Sequence, residues 1–140
     1  RDDGALVRRA LELRPDRISH GASAVGSPDV IATLIADDIT LDLCPTSNVQ
    51  AGTVATFADH PLPALLRQGV PVTVNTDDTT ISDITLSEEW LSCLELLGIT
   101  LPELWQCNLH ALRAAFVDEP TRARLLDEFT AWAAWVPELG

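Results

Sequence analysis

The 140-residue sequence is 46% hydrophobic and 21% charged, the composition of one globular domain with enough apolar material for a core, which excludes a disordered chain. Its 21 acidic side chains outnumber nine basic ones, all arginine, and the formal net charge of −12 repels nucleic acid and anionic membrane, excluding phosphate-backbone binding. No apolar run reaches the roughly eighteen residues of a membrane span, Arg1 opens a polar segment rather than a signal peptide, and three widely spaced cysteines, Cys44, Cys93 and Cys107, suit reduced thiols, so the expected location is cytoplasmic.

Ala5, Leu6, Ala10, Leu11 and Leu13 fall at helical spacing and predict a first helix that ends near Leu13, before Pro15. "DRISHG" predicts a short strand ending at His20, with Gly21 marking a sharp turn. Ser27 and Pro28 form an N-cap and first-turn pair for a helix whose face is Val30, Ile31, Leu34 and Ile35. "ITLDLCP" alternates apolar and polar residues from Ile39 to Cys44 and predicts a second strand, broken by Pro45. "TSNVQAGTV" reads as a loop, "PLPALLRQ" as a helix closed by Gly69, and "VPVTVNTDD" as a third strand whose early proline is tolerated. Thr85 with Glu88 and Thr100 with Glu103 are capping-box patterns opening two helical runs. In the closing helix, Leu125, Phe129, Trp132 and Trp135 lie on one stripe and are expected to pack in the core.

Helices alternating with strands over short links predict a parallel α/β sheet. Functional groups of such sheets gather at the C-terminal ends of the strands. Here those ends read His20-Gly21, then Cys44-Pro45-Thr46-Ser47-Asn48, then Asn75-Thr76-Asp77-Asp78. Each alone fits a turn or a helix cap. Together, a histidine and two aspartates on one rim offer imidazole and carboxylate ligands to a metal such as zinc, whose charge would offset the repulsion between the aspartates. Asp42 alternates away from Leu41 and Leu43, and is either a group orienting a ligand from behind or a carboxylate facing solvent or a helix. Cys107 and His110, three apart on a helix, read as core or surface residues in the absence of a second metal-spaced pair, and His60 reads as the lead-in to a helix.

"RISHG", "LDLCPTSN", "HPLPALLRQGVPVTVNTDD" and "TLSEEW", in this order from about Arg17 to Trp90, resemble the C-terminal half of the adenosine deaminase family. The resemblance implies a (β/α)₈ TIM barrel of which residues 1–140 are a single partial domain, about three parallel strands with flanking helices followed by C-terminal helices. It also implies a zinc-dependent enzyme that converts a 6-aminopurine nucleoside and water to the 6-oxo product and ammonia, adenosine to inosine. By that resemblance Asp77 is a catalytic residue and zinc ligand, His20 is the catalytic histidine that orients the attacking water, and Asp78 is the substrate-binding residue at N7 of the purine, with one zinc ion per complete site.

The sequence departs from the family's pattern in lacking the His-x-His pair, a further histidine ligand, and the glutamate that protonates N1, so the chain is expected to begin beyond them and to be inactive by itself. The absence of methionine agrees with a piece of a longer chain. Expected partners are the purine nucleoside and water, with the N-terminal half of the barrel or a homo-oligomer as candidates to cover its open edges, and neither nucleic acid nor membrane. The alternatives are a deaminase of adenine, aminodeoxyfutalosine or AMP, and an inactive truncated relative serving as a binding or structural partner.

Overall fold

The computed structural model describes residues 4–139. Helix α1 (Ala5–Leu11) leads to strand β1 (Arg17–Ser19), a 3₁₀ turn over Ala22–Gly26 and helix α2 (Pro28–Ala36). Strand β2 (Thr40–Leu43) runs directly into helix α3 (Pro45–Gln50), and helix α4 (Leu62–Arg67) precedes strand β3 (Val72–Val74). Helices α5 (Thr79–Ser82), α6 (Leu86–Leu96), α7 (Leu101–Arg113) and α8 (Glu119–Ala133) complete the chain.

The three strands form one parallel sheet in sequence order, with Ile18 beside Leu41 and Leu41 beside Val72. Each strand is followed by helical structure, and the arrangement is that of a segment of a (β/α)₈ barrel. Leu41, Leu43 and Val72 bury their side chains against Val30, Ile31 and Leu34 of α2 and Leu62, Leu65 and Leu66 of α4. Strand periodicity then places Arg17, Asp42 and Thr73 on the opposite face. There Arg17 donates to both Asp42 oxygens at 3.0 and 2.7 Å, and Thr73 Oγ1 donates to Asp42 Oδ1 at 2.8 Å. Asp42 is therefore held by Arg17 and Thr73.

Local chemistry sets the element ends. Ser27 occupies the N-cap of α2 with Pro28 behind it, and α4 closes in a Schellman arrangement in which Val70 N–H donates to Leu65 O while Gly69 takes φ +90°. Both capping boxes are formed, Thr85 with Glu88 and Thr100 with Glu103. Arg67 also binds Glu103, and this pair with the Thr100 backbone N–H holds the Glu103 carboxyl down at about 2.

Two expectations fail. "TSNVQ" is helical rather than loop, because Pro45 supplies a pre-set first turn and Glu89 of α6 caps it from a distance. The closing aromatic stripe is not core: Trp132 of α8 is 55% exposed and Trp135, just past the helix, 86%. Only part of it packs, with Trp105 of α7 stacked on Phe129 at 5.7 Å and against Trp132 at 5.3 Å. Cys107 is buried in the core and His110 bonds the Val72 backbone through Nδ1, so this pair belongs to packing. All three cysteines are free and buried. Among the described residues no helix is long and apolar enough to cross a membrane.

Candidate active site

The sheet ladder runs past the strands and delivers the next residues to one rim. His20 N–H donates to Asp42 O at 2.8 Å beyond β1, and Asn75 N–H donates to Leu43 O at 2.9 Å beyond β3. The chain then turns sharply on each side, with His20 at φ 62° and Asp77 at φ 60°, a left-handed backbone uncommon outside glycine. Histidine and aspartate are among the side chains that tolerate this conformation, which Arg14, Asp38 and Asp83 also adopt elsewhere. Gly21 continues the first turn at φ +82°, where an added Cβ would lie 2.9 Å from Leu41 Cδ2.

These turns bring His20 Nε2 to 3.6 Å from Asp77 Oδ2, with both side chains part-exposed. Each is held from the first turn of α3. Ser47 Oγ donates to Asp77 Oδ2 at 2.7 Å, and the amide of Asn48 meets His20 Nδ1 at 3.1 Å. Asn48 in turn meets His60 Nε2 through Oδ1, also at 3.1 Å. Helix α3 has no side-chain cap of its own, and the missing acceptor comes from Glu89, which is 0% exposed. Its carboxylate accepts from Thr46 N–H at 2.8 Å and from the Thr46 hydroxyl. A buried acid on α6 thus fixes the turn that aims Ser47 and Asn48.

Asp78 points elsewhere. Its Oδ1 accepts from Thr80 N–H and Ile81 N–H, both at 2.9 Å, capping α5, which leaves Oδ2 at the exposed rim. The structure thus brings His20 and Asp77 together, as the sequence led one to expect, whereas Asp78, expected as the substrate-binding residue, caps α5 with one of its carboxylate oxygens. The sequence reading missed Ser47, Asn48, Glu89 and His60 as supports. The Ser-Asn step inside "CPTSN" was the available signal for the first two, whereas Glu89 and His60 meet the site only through tertiary packing.

The rim fits a cation. One ligand atom from each of His20, Cys44 and Asp77 lies within 4.8 Å of the others, a spacing compatible with donors on a single first-row metal ion. Burial, reinforced by the negative charges of Asp77, Glu89 and Asp42, pushes the Cys44 thiol up to about 12, so Cys44 is a poorer donor than the Asp77 carboxylate. An open groove of about 800 Å³ runs from His20 and Gly21 along α1 to Val54 and Pro61. A second cavity of about 460 Å³ lies at the opposite end of the strands, beneath Thr40 and Pro71, away from these groups.

Comparison with known proteins finds relatives across most of the chain. The family model described as Adenosine deaminase matches residues 4–132. An adenine deaminase of Sinorhizobium fredii is 41% identical over 121 residues, 86% of this chain and 37% of that protein. An aminodeoxyfutalosine deaminase of Streptomyces coelicolor is 37% identical over 127 residues, 90% of this chain and 33% of its own length. The crystal structure of adenine deaminase from Arthrobacter aurescens superposes with a TM-score of 0.87 at 32% identity, covering 94% of this chain and 40% of the other. A cog1816 amidohydrolase from Burkholderia ambifaria with bound Zn gives a TM-score of 0.81 at 27% identity, covering 89% and 35%. The chain therefore spans little more than a third of the length of the curated relatives it matches.

Proposed function

The chain belongs to the adenosine deaminase family, and from that premise we propose that the complete protein is a zinc-dependent hydrolase that removes the 6-amino group of a purine, adenosine to inosine plus ammonia. The observation that carries this reading is the approach of His20 Nε2 to Asp77 Oδ2 at 3.6 Å, from two strand ends, with each side chain anchored separately. The bound zinc ion, one per complete site, would supply the positive charge that makes water acidic enough to attack at neutral pH.

Asp77 is the proposed metal ligand, and its carboxylate also accepts a hydrogen bond or a proton from the attacking water. Ser47 fixes Oδ2 of that carboxylate, so the direction of acceptance is set before substrate arrives. His20 holds the water from the other side. Asp78 offers Oδ2 toward N7 of the ring; since N7 of the free base is an acceptor, that contact requires a proton on one partner. Water adds at C6, the C6–N bond breaks, and ammonia leaves after the amino group gains a proton. The donor to N1 and the remaining metal ligands come from the part of the complete protein outside these residues, so the 140-residue chain alone is inactive in this reading.

A second reading takes adenine itself as substrate, and the relative of 41% identity and the structure with a TM-score of 0.87, both adenine deaminases, favour it. Ammonia release by the zinc-supplemented complete protein, measured against adenine, adenosine, aminodeoxyfutalosine and AMP, separates the substrates. No release from any of the four would sink the hydrolase reading and leave a binding or structural role.

A further inference from the structure

We propose that His60 and Asn48 are positioning residues that dictate which ring nitrogen of His20 carries its hydrogen, through a side-chain relay whose direction is set by one backbone N–H. Leu62 N–H points at His60 Nδ1 at 3.2 Å. A backbone amide only donates, so Nδ1 accepts and holds no hydrogen. His60 is 4% exposed, and burial pushes its pKa down to about 4, which keeps the ring neutral at physiological pH. Its single ring hydrogen therefore sits on Nε2, which donates to Asn48 Oδ1 at 3.1 Å.

With Oδ1 occupied, Asn48 presents Nδ2 to His20 Nδ1 at 3.1 Å. Reversing the amide would set its NH₂ against the His60 N–H, two donors facing each other in a buried site with neither satisfied. His20 Nδ1 accordingly accepts, and neutral His20 carries its hydrogen on Nε2, the nitrogen facing Asp77. His20 is then a donor toward any oxygen placed between the two groups, and Asp77 is the acceptor. The two cannot exchange these roles without breaking the bond at Asn48.

The consequence for turnover rests on the deaminase reading, whereas the tautomer does not. Ring-nitrogen NMR of the labelled chain, which contains three histidines, reads the tautomer directly at mildly alkaline pH. The expected spectrum shows His20 and His60 both with hydrogen on Nε2. A His20 hydrogen on Nδ1 would overturn the relay, whatever the substrate panel shows.

Asn48→Asp is nearly isosteric but offers acceptors only, so it should draw the His20 hydrogen to Nδ1. In the zinc-loaded complete protein it should lower kcat by about 10²-fold or more, with KM and zinc content nearly unchanged. His60→Gln keeps an N–H donor for Asn48 and should retain most of kcat and the Nε2 tautomer, whereas His60→Leu should lose both. Equal kcat in the Gln and Leu variants would overturn the proposal. If a variant fails to fold, the wild-type ring spectrum still decides.

Discussion

Acidification should expose the energetic weight of His60. Protonating the ring places a hydrogen on Nδ1, which then opposes Leu62 N–H, and puts a charge in a site with almost no contact with water. Burial moves the pKa from the ordinary 6.5 to about 4 in the folded protein. Between those values the unfolded chain binds a proton that the folded chain does not, so folding stability rises with pH across the window. The contribution is fully present above 6.5 and is lost as pH falls toward about 4, a total of about 3 kcal/mol at 1.36 kcal/mol per pH unit. His110, also lowered by burial, acts in the same direction. Glu103, held down at about 2, loses its contribution below its ordinary 4.5 and so touches only the acid edge of the window. Urea unfolding at a series of pH values between 4 and 7 measures the slope, and His60→Gln isolates this residue because His110 remains in both proteins. The stability of wild type relative to His60→Gln should fall by about 3 kcal/mol from neutral pH to about 4. A difference that stays flat across the window would refute the reasoning.

Gly21→Ala forces a Cβ into a left-handed turn and against Leu41, and thermal unfolding should show a loss of about 1–3 kcal/mol; an unchanged Tm would contradict the strained turn. Glu89→Ala strips the acceptor from the buried Thr46 N–H and should cost about 1–3 kcal/mol in denaturant titration, whereas Glu89→Gln, which keeps one acceptor, should cost less. Equal losses would remove Glu89 as the anchor of α3. Because Cys44, Cys93 and Cys107 are buried and pushed up to about 12, an aromatic disulfide reagent should label them at neutral pH only after denaturant is added. Fast labelling of the native protein would contradict their burial.

The strands were legible because each carries local marks: "RISHG" ends in glycine, "LDLCP" alternates and stops at proline, and "VTV" follows a helix closed by Gly69. The capping boxes were legible for the same reason, since Thr85–Glu88 and Thr100–Glu103 satisfy their own backbone groups. The convergence of His20 and Asp77 followed from the parallel order of the strands. Helix α3 was not legible, because its cap comes from Glu89, 43 residues away. His60 looked like a helix lead-in because its two bonds run to Leu62, next along the chain, and to Asn48, which only folding brings near. Trp132 and Trp135 show the converse limit: helical spacing identifies an apolar face, but whether anything covers it depends on what packs there, and Trp135, just past the end of α8, remains 86% exposed.

The zinc content of the complete protein, determined together with ammonia release from its best 6-aminopurine before and after Asp77→Ala, tests the central claim most directly. The site described here predicts one zinc ion per wild-type chain, and loss of both metal and turnover in a variant that stays folded. An Asp77→Ala protein that kept its zinc and its activity would contradict it.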